Sequence, residues 1–471
     1  MKKQGAVKSI IEVTLSNIAT ILAGIVVGML LPKVISVEDY GWYKTFTLYT
    51  TYVGFFSLGL IDGIVLKHGG DDYENLDRAL FRSYFKWYGL IHASFAAVLL
   101  IGAILIGDSN YSFICIMLAL YLIAANFSGY FQQISQITQR FKEYSARKII
   151  YSCLKILNVL ILFGLSFFGI EPNYKIYLLV FMVGEYALTL WYMFTYRDII
   201  LGGSKTLSAT RNDIINLSKI GFPLLFANLC STLILSLDRQ FVSILFDTET
   251  YAKYSFAYNM LSLVTVAMSA ISTVLYPTLK RTTKETLKET YGSLISIISL
   301  IVFAAIAAYY PLCVFVDWFL PKYIESLPIF RIVFPGLALS SSITVIMHNY
   351  YKTLGKNIIY FKKSIVVLIV SGLANVIAYY FFRTTAAISI ASIITMLFWY
   401  LYIEQYFVNE YRYARTKNFL YLVVMMIIFY ASSAIPNYYI AFAIYIAAYA
   451  ITTWLFFKNV ILVDLKRILK K

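Results

Sequence analysis

Residues 9–31 read SIIEVTLSNIATILAGIVVGMLL, twenty-three consecutive positions that hold one carboxylate, Glu12, and no lysine or arginine. At about 1.5 Å of helical rise per residue, such a run crosses the roughly 30 Å hydrocarbon core of a bilayer. Lys2, Lys3 and Lys8 in front of it give the look of a signal peptide. The run is too long for one and no small-x-small cleavage pattern follows, so it is expected to persist as a first membrane helix, closed by Pro32.

Runs of the same kind recur as far as residue 457. The chain is 60% hydrophobic and 14% charged, with a mean hydropathy of +0.73, against about 25% charged residues in a soluble domain. No water-soluble fold hides that much apolar surface, and the expected fold class is an all-α polytopic membrane protein. Punctuation by charged and turn-forming residues divides it into fourteen candidate transmembrane helices. Six lie at 9–31, 41–66, 86–107, 111–135, 147–169 and 175–196. After a polar connection at 197–216 come 217–244, 252–277, 291–315, 328–351, 359–382, 385–407, 418–434 and 438–457.

Lysine and arginine test this count, because cytoplasmic loops collect them. With the N-terminus inside, 31 of the 40 fall in the tails and alternate loops, and only Lys33, Lys175, Lys253, Lys322 and Arg383 in outer loops. Four lie within segments: Lys44, Lys155, Arg239 and Arg331. A wrong parity scrambles this alternation, so both termini are expected in the cytoplasm. The net charge of +16 is then a topology signal and an attraction to anionic lipid headgroups, not a nucleic-acid surface. Cys115, Cys153, Cys230 and Cys313 stand singly in apolar runs, which points away from disulfides and metal ligation.

The chain repeats itself. Glu38-Asp39-Tyr40-Gly41-Trp42-Tyr43 and Glu249-Thr250-Tyr251-Ala252-Lys253-Tyr254 both read E-x-Y-x-x-Y, 211 residues apart. Arg140-Phe141-Lys142 and Leu354-Gly355-Lys356 are related by an offset of about 215. Six helices precede the second copy, so the expected halves share one orientation in a parallel pseudo-twofold repeat. The expected domains are an N-terminal lobe over 1–200, a C-terminal lobe over 210–408, and two extra helices with a basic cytoplasmic tail over 409–471.

Read in order, Ser36-Val37-Glu38-Asp39-Tyr40-Gly41, Gly221-Phe222-Pro223, Asp238-Arg239, Tyr276-Pro277 and Leu354-Gly355-Lys356 resemble the Wzx-like polysaccharide flippase branch of the multidrug/oligosaccharidyl-lipid/polysaccharide exporter superfamily. The resemblance covers nearly the whole chain. It implies two six-helix lobes around a central cavity that opens alternately to each side, in the plasma membrane. The implied cargo is an undecaprenyl-diphosphate-linked oligosaccharide repeat unit, O-antigen or capsule, moved outward with no cofactor and with coupling to H+ or Na+ an open question. Its expected partners are that lipid-linked substrate, membrane lipids and other polysaccharide-assembly proteins. A cationic cavity is usual in such flippases, whereas the helices here hold about as many acids as bases.

Ionisable groups within the segments are the first candidates for mechanism, since an unpaired charge at the bilayer centre costs roughly 2.5 to more than 10 kcal/mol. Glu185, mid-segment, is a coupling candidate or a permanently paired or protonated carboxyl. Asp238 and Arg239 lie roughly 9 Å inside the outer end of the seventh segment and point about 100° apart. Either forms an interhelix bridge or faces the cavity, and Arg239 has the planar fork suited to phosphate. Lys155, roughly 12 Å inside the fifth segment, receives a diphosphate or snorkels to headgroups. Lys44 and Arg331 near outer ends suit snorkelling or substrate binding, and Asn228 a polar lumen or an interhelical hydrogen bond. Asp62 lies in the glycine-rich Leu58-Gly59-Leu60-Ile61-Asp62-Gly63, a gating candidate where close helix packing is expected. Glu12 and His92 are read as structural.

An enzyme, such as a glycosyltransferase or polymerase, needs a large aqueous loop or a clustered acid/base pair, and the longest outer connection is only about 316–327. No G-x-x-x-x-G-K-[ST] loop supplies ATP-driven transport. The competing transporters are a cation-coupled multidrug antiporter and a peptidoglycan-precursor lipid flippase of the same superfamily.

Overall fold

The computed structural model describes residues 2–459, apart from the side chains of residues 2–11, 266, 267, 269, 270, 273, 274, 277 and 459. The tail lysines at positions 2, 3 and 8, and the basic residues beyond 459, lie outside the described side chains. Among the described residues there is no strand. The helices are α1 (Lys2–Val34), α2 (Val37–Thr50), α3 (Leu60–His68), α4 (Arg78–Leu105), α5 (Ser109–Ile137), α6 (Phe141–Phe167), α7 (Tyr174–Thr195), α8 (Leu207–Leu245) and α9 (Thr248–Lys280). Then follow α10 (Lys284–Ile306), α11 (Tyr309–Phe319), α12 (Leu327–Val333), α13 (Gly336–Ser341), α14 (His348–Thr353), α15 (Asn357–Phe382), α16 (Thr385–Tyr411), α17 (Thr416–Ser432) and α18 (Tyr438–Asn459).

All fourteen apolar segments fall on these helices. Ten stretches are long and apolar enough to cross a membrane, and two bent helix pairs raise the number to 12. Of the other two segments, α17 is apolar but 17 residues long, and α9 is one continuous helix of 33. Only 22% of the apolar window of α4 is buried, and Ile104 and Leu105 at its end are 82% and 79% exposed. Apolar surface on that scale has lipid as its partner, not water. The chain is a multi-pass membrane protein.

Three segments depart from the sequence reading. Helix α1 continues past Pro32 to Val34. The second segment is broken: a short 3₁₀ turn at Val53–Ser57 is followed by Leu58 at φ 52° and Gly59 at φ 77°, and the axis bends by 57° before α3. The tenth bends by 53° between α12 and α13, where Pro335 lacks the N–H a straight helix needs. A π-helical turn, Ser342–Met347, joins α13 to α14.

The chain divides into two compact units, Met1–Thr232 and Leu233–Lys471. In the first, α1 lies along α6, and α4, α5 and α7 meet around Phe81, Tyr84, Phe85, Tyr130, Phe131 and Tyr196. Helix α3 presses on α8 through glycine. A Cβ on Gly63 would stand 2.1 Å from the Leu217 carbonyl oxygen, and one on Gly221 2.0 Å from that of Gly59. Small residues four apart let backbones approach this closely, so the glycine-rich end of the second segment packs as its sequence suggests.

The repeated E-x-Y-x-x-Y is a helix-start device in both units. Ser36 and Asp247 cap α2 and α9 by accepting from the N–H of Asp39 and Thr250. The acids of the motif occupy the first turn, where the helix dipole favours them. Tyr40 and Tyr251 are 1% and 2% exposed and anchor the helix to its bundle.

Candidate functional site

In the first unit, Glu185 of α7 is 2% exposed. Its Oε1 accepts a short hydrogen bond from the Tyr151 hydroxyl of α6. One turn further along α6, the Lys155 ammonium lies 4.3 Å from the centroid of the Tyr151 ring. Lys155 and Glu185 make no ion pair within 4.0 Å, so the tyrosine stands between cation and acid. Thr189 donates to the Ala124 and Glu185 carbonyls at 2.9 and 2.8 Å and pins α7 to α5. Stacked rings of Tyr121, Phe181 and Tyr177, with Tyr43 edge-on to Tyr177 at 5.1 Å, lead to Lys44, which lies over Tyr40 and Tyr43 at 5.1 and 5.6 Å. Glu185, Lys155 and Lys44 thus belong to one aromatic-lined centre. Asp62 belongs to another place, half-buried beside Gly63 at the α3–α8 contact.

In the second unit, Asp238 is 3% exposed and accepts from two tyrosines one turn apart on α9, Tyr254 at 2.7 Å and Tyr258 at shorter range. Tyr254 also accepts from Ser389 of α16 at 3.4 Å. Arg239 turns the other way. Its Nη2 donates to the Leu235 carbonyl at 2.9 Å, its guanidinium covers the Tyr258 ring at 5.0 Å, and its Nε is buried without a hydrogen-bond partner. Arg239 lines a cavity of about 410 Å³ with Tyr258, Ser262, Ser340, Thr344 of the π-helical turn and Met396. A single guanidinium in a mostly apolar hollow is suited to an anionic head on an apolar body. Arg331 is committed elsewhere: its Nε donates to Ser433 at 2.9 Å and its Nη2 to the Tyr430 carbonyl at 3.0 Å, which ties α12 to the end of α17. Asn228, on α8 in the first unit, is exposed, and its carbonyl accepts from Thr232 at 3.0 Å.

Hydropathy has no signal for the tyrosines that satisfy both carboxylates. Tyr151 and Lys155, and Tyr254 and Tyr258, are (i, i+4) pairs on apolar helices, and only that spacing marks them. Also missed is Glu404 of α16, 0% exposed, and a polar clamp at one end of the first unit. There Arg82 donates to the carbonyls of Asp198 and Gly203 at 2.9 and 2.8 Å, and Lys205 pairs with Asp77 at 2.7 Å. The Lys205 ammonium, and then the Leu80 N–H that Asp77 caps, hold the Asp77 carboxyl below the usual carboxylate range. Among the described residues no group of three or more His, Cys, Asp or Glu could hold a metal ion.

The family described as "Polysaccharide biosynthesis protein" matches residues 6–283, more than half of the chain. The chain belongs to that family. A search of curated protein sequences returned no match. Among solved structures, the fold is similar to "Lipid II flippase MurJ, inward closed conformation", with a TM-score of 0.71 at 14% identity over 97% of this chain and 100% of that one. It is also similar to an inward-facing multidrug resistance MATE family transporter of the MOP superfamily, with a TM-score of 0.59 at 12% identity over 85% of this chain and 98% of that one. The outward-facing conformation of a MATE transporter gives 0.56 over 84% and 95%. The chain is therefore a multi-pass membrane protein of the polysaccharide biosynthesis family, and its fold is similar to those of the MurJ flippase and the MATE transporters.

Proposed function

We propose that this protein flips an undecaprenyl-diphosphate-linked oligosaccharide repeat unit from the cytoplasmic to the outer face of the cell membrane, for surface polysaccharide such as O-antigen or capsule. The observation that carries the reading is the family match over residues 6–283. The fuller coverage supports a lipid flippase over a drug antiporter, because the MurJ fold accounts for 97% of this chain and the MATE fold for 85%. In this reading both termini are cytoplasmic and lobes over 1–200 and 210–408 alternate around a central cavity. Arg239, Lys155 and Lys44, with Asn228, contact the diphosphate and sugars, while Arg331 braces α12 against α17 and Glu185, Asp238 and Asp62 couple or gate the cycle to H+ or Na+. The partners are the lipid-linked oligosaccharide, membrane lipids and other polysaccharide-assembly proteins, and the protein performs no catalysis of its own.

The test is a deletion strain assayed for surface glycan and for lipid-linked oligosaccharide on each face of the membrane. Deletion strands the intermediate inside and wild-type complementation restores export. Normal glycan with lost resistance to cationic drugs replaces this reading with the multidrug antiporter.

A further inference from the structure

Glu404 lies seven residues before the end of α16 and is wholly buried. Its Oε1 accepts from Tyr400 on the same helix face at 3.1 Å, and its Oε2 has no hydrogen-bond partner. Among the described residues no cation lies within 4.0 Å of it. The groups within electrostatic reach are Tyr400 of α16, Tyr291 of α10, and Tyr413 and Arg415 of the connection 412–415. Arg415 donates to Gln405 at 3.2 Å, and the Tyr413 hydroxyl accepts from Asn418 of α17 at 2.5 Å. The walls are aromatic: Tyr291 stacks on Phe407 at 4.5 Å and meets Tyr413 edge-on at 5.2 Å. The hydroxyls of Tyr291 and Tyr411 are also buried without partners.

An ionised carboxylate in such a place, with one neutral donor and no described cation in contact, is far costlier than the neutral acid. Protonation removes the charge and turns the orphaned Oε2 into a donor, with the unpartnered Tyr291 hydroxyl within electrostatic reach. Glu185 is placed alike, with Lys155 one tyrosine away and no ion pair between them. The two acids are 219 residues apart, one helical turn beyond the offset of about 215 that relates the halves of the sequence. Each half therefore carries a tyrosine-bonded glutamate on its sixth segment, with a cation in electrostatic reach but not in contact.

We propose that Glu404 is a proton-binding site of this transporter, the carboxyl being held as the neutral acid inside the cage of Tyr291, Tyr400 and Tyr413. When α10, α16 and the 412–415 connection part, the O–H bond breaks, the proton passes to water and the carboxylate is left hydrated. The role in transport rests on the flippase reading, whereas the protonation state does not.

Infrared difference spectra of the full-length protein in lipid nanodiscs, wild type against Glu404→Gln in a Glu185→Gln background, read the state directly. The expected difference is the carbonyl stretch of a protonated carboxylic acid. An antisymmetric carboxylate stretch in its place means that the group is ionised, and overturns the proposal. Should Glu404→Gln fail to fold, Tyr400→Phe keeps the acid and removes its donor. The acid band then moves to higher frequency, and an unmoved band overturns the cage. In cells, wild-type complementation reports on the flippase reading, and the variant-to-wild-type ratio reports on Glu404. A proton-transfer group contributes roughly 100-fold or more to the step it serves, so Glu404→Gln is expected to slow the appearance of surface glycan at least tenfold. A folded variant with wild-type export confines Glu404 to a structural role.

Discussion

A carboxyl taken out of water needs donors in place of the ones it lost, and in both units tyrosine supplies them. If the Tyr151 hydroxyl satisfies Glu185, then Tyr151→Phe leaves a buried oxygen bare, at about 1–3 kcal/mol. Thermal unfolding in detergent should show that loss, and Glu185→Gln combined with Tyr151→Phe should lose less than the sum of the two single changes. Additive losses mean that the two groups do not interact. At Arg239 the geometry separates charge from shape. Arg239→Ala removes the one cation among the described residues that line the cavity, and export should fall at least roughly tenfold, about 1.4 kcal/mol. Arg239→Lys should lie between, because an ammonium keeps the charge but not the planar fork. Equal export by Lys and wild type rules out bidentate contact. Glu404, near the end of its segment, was not singled out, but most of the charged residues within the helices were legible in the sequence, since a charge in an apolar run stands out. Their partners were not, because Tyr151, Tyr254 and Tyr258 score as apolar positions until the fold places them against a carboxylate. The commitment of Arg331 to Ser433 and Tyr430, 102 and 99 residues away, likewise has no local mark.

Two contacts between elements of the first unit carry strong expectations. The α3–α8 crossing has no space for a methyl group at Gly63 or Gly221, and overpacking typically costs about 1–3 kcal/mol. Gly63→Ala and Gly221→Ala should each lower the unfolding midpoint, whereas Gly129→Ala, with nothing within 4 Å of its would-be Cβ, should not. Equal stability of all three means that the helices part more widely than described. The clamp of the 201–206 connection on α4 should respond to acid. Lys205 and the Leu80 N–H hold the Asp77 carboxyl below its ordinary value. Its contribution is present above the unfolded carboxylate range and is lost as pH falls through the lowered folded value. Amide exchange at 201–206, corrected for intrinsic rate, should therefore rise on acidification, and Asp77→Asn should raise it already at neutral pH. Because the pair is exposed, the effect is local opening and not global unfolding.

For the whole molecule, the positions of the apolar segments were legible because hydropathy integrates over about twenty residues, and an uncharged apolar run that long is seldom anything but a membrane span. The bends were not, since Leu58-Gly59 and Pro335 sit inside apolar runs whose average they barely alter. The same averaging leaves α17 as the element on which the crossing count turns. Its 17 residues reach about 25 Å at 1.5 Å each, against a core of about 30 Å. A mismatch of a few ångströms costs fractions of a kcal/mol per ångström through thinning or snorkelling. Leaving so apolar a helix in water costs far more, so α17 should cross. In a background with Cys115, Cys153, Cys230 and Cys313 replaced, Ala434→Cys and Ala414→Cys place single thiols in exposed positions beyond either end of α17. A membrane-impermeant maleimide applied to intact cells should label the first and not the second, and permeabilisation should expose the second. Protection of both in intact cells means that α17 and α18 do not cross as a pair. The MurJ-like coverage of this chain would then no longer favour a fourteen-helix flippase over the twelve-helix antiporter.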